Sequence, residues 1–420
     1  MLLSAAVVGP PWPGTAGQAQ TDERSWVESV SGDGRYVAFR SMAPDLVPGP
    51  TQPGQPDAVY VRDLRLNRTW QIQPPADTRA VGPSFSADGR YLAYSVQPRD
   101  YLTATPSYGI VADLRRGTRR RIDLGFRAGA RALSAQVAQI SADGTHLLLY
   151  ALPAPFRDGD RYTLYVRDLT DGTTEPVTVG PAGAAPNGTS VSAGLSADGS
   201  YAAVISYATN LVPGDTDGVP DVFVRDLRRG TTQLVGVSTL AGQRNGGVLP
   251  AWLSGDGRYI AVRTDARVLP ADTDGGNSLY VHDLRRGTIE LIGPTLTDEY
   301  RSYSTDRAMI SADGRYVTFS SDQLASPSGR PQVYVRDRVA GTTTLASARP
   351  DGRPGTQGSS GASISANGRY VVFDSDASDL VSGDPNDSTD VFIRDLRLGT
   401  TRRVSVGTCD LAPAVTTGRR

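Results

Sequence analysis

The chain contains no lysine: all 43 basic residues are arginine, and 44 acidic residues balance them to a formal net charge of −1. The arginines are scattered along the 420 residues rather than clustered. Binding to the phosphate backbone of nucleic acids depends on a net positive surface. The charge balance therefore argues against a nucleic-acid partner.

Cysteine is almost absent as well. A single cysteine, Cys409, excludes an internal disulfide framework and a cysteine-based zinc site. It lies near the C-terminus with no histidine near it in sequence, so we interpret it as a tail residue rather than a nucleophile. No run of 18 apolar residues occurs, which argues against a transmembrane helix.

Signatures of catalysis are missing too. The sequence contains no Gly-x-Ser-x-Gly, no His-Glu-x-x-His and no phosphate-binding loop. Its two histidines, His146 and His282, replace a tyrosine and an arginine of the repeat described next. We interpret both as altered repeat positions rather than as bases or metal ligands, and we predict no catalytic residue.

The sequence is instead dominated by an internal repeat, which has to be identified before local structure is considered. A six-residue motif, Ser-x-Asp-Gly-x-Tyr, recurs seven times with one histidine and one asparagine substitution, and its serines are 54 to 58 residues apart. The copies are Ser31–Tyr36, Ser86–Tyr91, Ser141–His146, Ser196–Tyr201, Ser254–Tyr259, Ser311–Tyr316 and Ser365–Tyr370.

A second motif follows each copy of the first and has the form aromatic-Val-Arg-Asp-Leu with few departures. The copies are Tyr60–Leu64, Ile110–Leu114, Tyr165–Leu169, Phe223–Leu227, Tyr280–Leu284, Tyr334–Arg338 and Phe392–Leu396. Two motifs that alternate strictly seven times indicate seven copies of one structural unit.

Each unit contains four strand signals separated by turn signals. In the fourth unit, Asp198-Gly199 and Arg228-Arg229-Gly230 are turn sequences between segments that alternate or are rich in β-branched residues. The predicted strands there are Val191–Leu195, Tyr201–Ser206, Asp221–Leu227 and Thr231–Val237. No segment has a sustained period of 3.6 with caps, so we expect almost no helix.

An antiparallel unit of this size cannot bury both of its faces alone, whereas copies arranged radially cover each other. We therefore predict an all-β protein, a seven-bladed β-propeller with four antiparallel strands per blade and about 28 strands in total. The expected division is an N-terminal segment 1–23, blades at 24–78, 79–128, 129–181, 182–240, 241–296, 297–349 and 350–407, and a C-terminal tail 408–420.

The two motifs together carry a family resemblance. Ser-Ala-Asp-Gly-Arg-Tyr-Val-x-Phe followed by Tyr-Val-Arg-Asp-Leu-x-x-Gly-Thr-Thr resembles the WD40-like Asp-repeat (PD40) propellers, the group that includes the C-terminal domain of TolB. The resemblance extends from about Arg24 to Val406. It implies the propeller fold and, through secreted or envelope-associated bacterial proteins with the same pattern, a location outside the cytoplasm.

The Asp residues of the two motifs could be interpreted as catalytic carboxylates, but a structural role in hairpin turns explains them better. An Asp-Gly pair suits a tight turn, and the Asp of the second motif can accept hydrogen bonds from turn amides. We expect the Arg that precedes this Asp, for example Arg62, to pair with a carboxylate of a neighbouring blade.

The loops between the second and third strands are the candidate metal sites. Three of them carry acids at alternating positions with a glycine or a proline nearby, an arrangement that can wrap oxygens around Ca²⁺, although none reaches the distal glutamate of an EF-hand. A solvated Asp/Gly turn is the alternative interpretation. The candidate calcium ligands are Asp215, Asp217, Asp221, Asp272, Asp274, Asp384, Asp387 and Asp390.

Two tryptophans near the first motif, Trp26 and Trp252, are predicted on innermost strands, where they could line the channel or pack in the core.

For function, three hypotheses stay open. The chain is a non-catalytic scaffold that binds a protein, peptide or envelope component; a glycan-active or other hydrolase or lyase with its site at a channel mouth; or a structural or sensory extracytoplasmic module. The fold alone does not choose among them. We expect a monomer.

The segment Leu2–Val8 also has two interpretations: an additional strand that clasps blade seven, or a tail or signal remnant. We favour the clasp, because Leu2, Leu3, Val7 and Val8 would otherwise form an exposed apolar end. Deleting residues 1–20 should then lower the melting temperature. A melting temperature within a degree or two of the full chain would show that the segment is not part of the ring.

Overall fold

The computed structural model describes residues 24–43, 46–47, 58–100, 105–124, 127–128, 131–154, 157, 159–215, 218–235, 248–264, 268–269, 278–293, 309–322, 324, 329–384 and 388–406. The segment Leu2–Val8 and its clasp lie outside these residues. The described strands form seven antiparallel sheets. Blade one contains β1 (Ser25–Val30), β2 (Tyr36–Ser41), β3 (Ala58–Asp63) and β4 (Arg68–Gln71); blade two contains β5 (Thr78–Phe85), β6 (Tyr91–Pro98), β7 (Tyr108–Asp113) and β8 (Thr118–Ile122).

Blades three to five continue the same order along the chain. Blade three contains β9 (Arg127–Ala128), β10 (Arg131–Ile140), β11 (His146–Ala154), β12 (Thr163–Asp168) and β13 (Thr174–Pro176); blade four contains β14 (Ser190–Leu195), β15 (Tyr201–Ser206), β16 (Asp221–Asp226) and β17 (Thr231–Leu234); blade five contains β18 (Val248–Leu253), β19 (Tyr259–Thr264), β20 (Ser278–Asp283) and β21 (Thr288–Leu291).

Blade six contains β22 (Met309–Ile310), β23 (Tyr316–Ser321), β24 (Gln332–Asp337) and β25 (Thr342–Leu345); blade seven contains β26 (Ser359–Ile364), β27 (Tyr370–Ser375), β28 (Asp390–Asp395) and β29 (Thr400–Arg403). The strands of each sheet are neighbours in the order in which they occur in the sequence. The seven-bladed propeller is therefore confirmed. One short 3-10 helix, Pro181–Gly183, is the helical element of the described residues.

Blade three differs from the expected four strands. The two-residue strand β9 pairs with β10 and makes this sheet five-stranded. The predicted division assigned residues 127–128 to blade two, and it began blade two one residue after the start of β5.

Because consecutive strands are antiparallel, the hairpin turns of both motifs lie on one face of the propeller, and the longer loops and blade connections lie on the other.

The first motif builds the turn between the first two strands of a blade. In blade one, Ser31 Oγ donates to Asp33 Oδ1 at 2.6 Å, and the amides of Arg35 and Tyr36 donate to Asp33 and Ser31, respectively. Gly34 has φ +74°, a conformation that glycine adopts without steric cost. The motif is thus a self-contained hairpin turn, as its composition predicts.

The second motif closes the other hairpin. In blade one, Asp63 Oδ1 accepts hydrogen bonds from the amides of Arg65 and Leu66, and Arg35 of the first motif forms a salt bridge to Asp63 at 2.6 Å. The same salt bridge joins four other pairs: Arg90–Asp113, Arg258–Asp283, Arg315–Asp337 and Arg369–Asp395. Hydrogen bonds from Arg258 and from Arg315 lower the pKa of Asp283 and of Asp337 to about 2.

For Arg62, the example given for the Arg that precedes this Asp, the predicted carboxylate partner is wrong. Arg62 is buried, and its guanidinium donates to Thr69 Oγ1 on the adjacent strand at 2.8 Å rather than to a carboxylate. Burial lowers the pKa of Arg62 to about 10. Strand register explains the partner, because this Arg lies directly opposite a threonine of the fourth strand. The other such pairs are Arg167–Thr174, Arg225–Thr232, Arg336–Thr343 and Arg394–Thr401.

Neighbouring blades meet through a tyrosine and a glycine of the first motif. A Cβ atom added to Gly314 would lie 2.2 Å from the ring of Tyr259 in the preceding blade. The same contact recurs around the ring, with a histidine in one case: Gly34 with Tyr370, Gly89 with Tyr36, Gly144 with Tyr91, Gly199 with His146, Gly257 with Tyr201 and Gly368 with Tyr316. The pair Gly34 and Tyr370 belongs to blades one and seven and closes the circle.

The junction of blades one and seven shares no strand among the described residues, because each sheet is complete with its own strands. Its core joins side chains of both blades, including Val27 and Phe39 on one side and Val391 on the other. The amide of Ser25 donates to the carbonyl of Thr389 at 2.7 Å, and the amide of Val27 donates to Asp374 Oδ1 at 2.5 Å.

The contact between glycine and tyrosine predicts a specific cost of substitution. Gly314→Ala and Gly341→Ala both place alanine at φ near +70°, which costs about 1–2 kcal/mol each. Only Gly314 lies under a ring; near Gly341 the described residues place no atom within 4 Å of an added Cβ. Urea unfolding should show Gly314→Ala to be less stable than Gly341→Ala by a further ~1–3 kcal/mol. Equal losses would show that the ring contact adds no constraint.

Candidate functional site

The inner strands of the seven blades surround a central cavity of about 680 Å³. Three rings of seven equivalent residues line most of it. The first ring, one residue before the end of each inner strand, is Ser29, Ser84, Gln139, Gly194, Trp252, Met309 and Ser363. The second ring, the last residue of each inner strand, is Val30, Phe85, Ile140, Leu195, Leu253, Ile310 and Ile364; the third, the small second residue of each first motif, is Gly32, Ala87, Ala142, Ala197, Gly255, Ala312 and Ala366.

Charge is almost absent from this cavity. Among the described residues that line it, Glu28 is the one ionisable carboxylate, and no arginine or histidine joins it. The guanidinium of Arg40 forms a salt bridge with Glu28. Arg40 also lies 5.8 Å from the ring centre of Trp26. The cavity therefore offers apolar and small polar surface, with one carboxylate that is already neutralised.

The two tryptophans predicted on innermost strands have different positions. Trp252 lines the central cavity while it packs against the core between blades five and six, so both interpretations of this residue hold. Trp26 lines a second cavity of about 530 Å³ at the junction of blades one and seven. One acid of that cavity, Asp374, bridges the junction by accepting a hydrogen bond from the amide of Val27, whereas Asp376 accepts from Thr389 Oγ1 at 2.6 Å within blade seven.

The two histidines lie at blade junctions rather than in the central cavity. His146 Nε2 lies 3.6 Å from Asp168 Oδ2 within blade three. His282 is buried, and burial lowers the pKa of its imidazole. Both occupy the places of repeat residues, in agreement with their interpretation as altered repeat positions.

Four of the eight candidate calcium ligands belong to the described residues: Asp215, Asp221, Asp384 and Asp390, all buried. Asp217, Asp272, Asp274 and Asp387 lie outside them. In blade seven, Arg403 Nη1 lies 2.9 Å from Asp384 and 3.6 Å from Asp390, so an arginine occupies the space between these carboxylates. Within the described ranges no three metal-ligating side chains converge. Calcium binding stays a prediction.

Sequence reasoning missed Arg403, because it lies 19 residues from Asp384 and belongs to another motif. The register of the sheet places it opposite Phe392, at a position that is Gln71 in blade one and Leu234 in blade four. A blade-by-blade alignment of the fourth strands would have singled it out as a cation beside the acids.

No family model and no curated protein matches the chain. Solved structures do. The β-propeller domain of the trilobed protease from Pyrococcus furiosus, described as having an open velcro topology, is 15% identical, with coverage of 91% of this chain and 98% of that chain and a TM-score of 0.53. An oligogalacturonate lyase from Vibrio parahaemolyticus is 13% identical, with coverage of 90% and 92% and a TM-score of 0.56. At these identities the similarity shows the propeller fold alone.

The structural neighbours also include a putative TolB from Agrobacterium tumefaciens, which is 17% identical with coverage of 77% of this chain and 88% of that chain. Its TM-score is 0.42, so the alignment carries no functional argument. The resemblance noted from the motifs thus holds at the level of a β-propeller. In the described residues, no helix is long and apolar enough to span a membrane.

The buried contact of Arg403 with two carboxylates gives a stability prediction. Arg403→Met removes the guanidinium that Asp384 and Asp390 share, and the loss of one partner of a buried ion pair costs about 3–5 kcal/mol. Urea unfolding should show this loss, and adding Asp384→Asn and Asp390→Asn to the variant should restore most of it. The calcium prediction is tested by the melting temperature of the wild-type chain. A rise in millimolar Ca²⁺ that EDTA reverses would support a calcium site.

Proposed function

We propose that the chain is a non-catalytic propeller that binds an uncharged segment of a protein or peptide in its central cavity. The observation that supports this proposal is the composition of the three rings: all 21 positions are uncharged. General acid–base and nucleophilic catalysis need a titratable group near the reacting atoms. Apolar walls with a few polar groups are typical of binding sites.

Ligand chemistry follows from the asymmetry of the first ring. Blades one, two and seven contribute serine and blade four contributes glycine, whereas blades five and six contribute Trp252 and Met309. Tryptophan supplies large contact areas in peptide recognition, and methionine adapts to irregular partners. An apolar or aromatic side chain of the ligand would lie against these two residues, with its backbone beside the serines.

The competing enzymatic hypothesis would have to use Glu28, the carboxylate of the cavity wall. A glycan-active hydrolase or lyase usually pairs two carboxylates, and the described lining residues contribute no second one. The other titratable side chain of the lining is Tyr150, whose hydroxyl accepts a hydrogen bond from the amide of Ser192. The structural or sensory module differs from the proposal only in having no ligand. In either case we expect the protein to work outside the cytoplasm, on the strength of the motif resemblance.

A binding assay with the full chain tests the proposal. The probe is a pool of fluorescent uncharged hexapeptides that each carry Leu, Phe or Met at one position, measured by anisotropy. Trp252→Ser, which installs the residue that three other blades have in this ring, should weaken binding about tenfold or more, a loss of ~1.4 kcal/mol or more. Leu398→Ser, at an exposed turn of blade seven, is the matched control and should bind as the wild type does.

The same preparation is assayed for turnover of oligogalacturonates and of internally quenched peptides, and we expect none. Cleavage of either substrate that disappears in Glu28→Gln would contradict the non-catalytic proposal. So would peptide binding that Trp252→Ser leaves intact, because the cavity would then not be the site.

A further inference from the structure

One position on the third strand lies beside the residues at the outer edge of the preceding blade, as the hydrogen bonds of Arg62 to Val406 and of Arg394 to Ala348 show. Arg62 shows the arrangement: it is buried, and its Nη1 lies 3.5 Å from the carbonyl of Val406 across the junction. In the seven blades this position is Arg62, Ala112, Arg167, Arg225, His282, Arg336 and Arg394. Six blades thus place a long basic side chain or an imidazole there, and blade two places a methyl group.

The truncation at Ala112 coincides with a cavity. A pocket of about 380 Å³ lies between blades one and two and is lined by Ala112 together with Leu92 and Tyr94 of blade two and Tyr36 of blade one. The facing threonine is replaced as well: Ala112 lies opposite Arg119, where Arg225 lies opposite Thr232. In blade two the guanidinium is therefore on the fourth strand, at Arg119, instead of the third.

Blade one contributes a second departure to the same pocket. Trp70 lines it from β4, half-buried, with its ring centre 6.2 Å from that of Tyr36 in an edge-to-face arrangement. Aligned on the strand register, the outer-strand residues at this position are Trp70, Arg120, Glu175, Gln233, Glu290, Thr344 and Arg402. Only blade one has an apolar residue there, and Leu66, which is 62% exposed, extends the apolar surface to the rim.

The charged groups around the pocket leave a positive rim. Both acids that line it are neutralised, since Arg35 pairs with Asp63 and Arg90 pairs with Asp113. Arg68 and Arg119 line the pocket, are exposed, and form no ion pair with any described residue. An incoming negative charge at the rim would meet two arginines that have no carboxylate to release.

We propose that this pocket, the rim site, binds an acidic peptide segment through one large apolar side chain. The side chain enters between Trp70 and Ala112, at the position where five other blades have an arginine, and the flanking carboxylates pair with Arg68 and Arg119. The site is separate from the central cavity and does not depend on the function proposed for it.

A peptide fits this pocket better than an anionic sugar does. Four aliphatic side chains, Leu66, Ile72, Leu92 and Leu114, line the pocket in addition to its aromatic residues. Aliphatic walls match the side chain of a Phe or Leu anchor, whereas a sugar ring needs hydrogen-bonding partners for its hydroxyl groups. The free arginines account for the acidic flanks.

The test uses a fluorescein-labelled peptide of sequence Glu-Glu-Phe-Glu-Glu, measured by anisotropy with the full chain. Trp70→Gln introduces the residue that blade four has at the equivalent position, Gln233, and it should weaken binding about tenfold. The double variant Ala112→Arg with Arg119→Thr rebuilds in blade two the pair formed by Arg225 and Thr232, and it should fill the pocket and abolish binding while the melting temperature stays at or above that of the wild type. Raising the salt concentration should also weaken binding.

The matched control makes the same exchange at another junction: His282→Arg with Ile289→Thr should leave binding of the probe unchanged. Trp252→Ser should likewise leave it unchanged, which separates this site from the central cavity. A peptide with alanine in place of phenylalanine should bind at least tenfold more weakly, a loss of ~1.4 kcal/mol. Equal binding of the alanine peptide, undiminished binding to the filled variant, or binding of oligogalacturonate without binding of the peptide would each overturn the proposal.

Discussion

An aromatic ring that lies on a glycine backbone joins each blade to the next, a tyrosine at six junctions and His146 at the seventh, and the regularity of the propeller depends on this contact. The glycine must serve two purposes at once: it adopts positive φ in the hairpin turn, and it leaves out the Cβ atom that would collide with the ring. Any other residue fails one of these requirements. Since the contact recurs from blade to blade and also links blades seven and one, a single local geometry, repeated, sets the angle between blades.

The repeat also explains why most of its polar residues have no role in recognition. The first-motif acids hold hairpin turns, and the second-motif acids hold turn amides and a salt bridge within the same blade. Their hydrogen-bonding capacity is used by the fold. Among the described residues, the sites we propose for recognition therefore lie where a blade departs from the pattern: at Trp252 in the first ring of the central cavity, and at Ala112 and Trp70 between the first two blades.

Local features of the fold could be predicted closely, and long-range partners could not. In blade four the predicted strand Tyr201–Ser206 is the observed one, because Asp-Gly turns and alternating residues specify hairpins through neighbours in sequence. The partner of Arg62 was predicted wrongly, since it depends on strand register, and the short strand β9 has no sequence signal. Predicting the rim site from the sequence would also require knowing which side of each strand faces the neighbouring blade, and this is known only once the blades are placed next to each other.

The junction of blades one and seven brings the first and last described strands of the chain together. Among the described residues no sheet contains strands from both ends of the chain, so the junction is held by packed side chains, the contact of Gly34 with Tyr370, and a few hydrogen bonds such as that from Ser25 to Thr389. Separating the described residues of these two blades would therefore break no strand pairing within any of the seven sheets. Within these residues, closure of the ring thus relies on side-chain packing and a ring–glycine contact of the kind that joins the other blades, and not on a shared ladder of backbone hydrogen bonds.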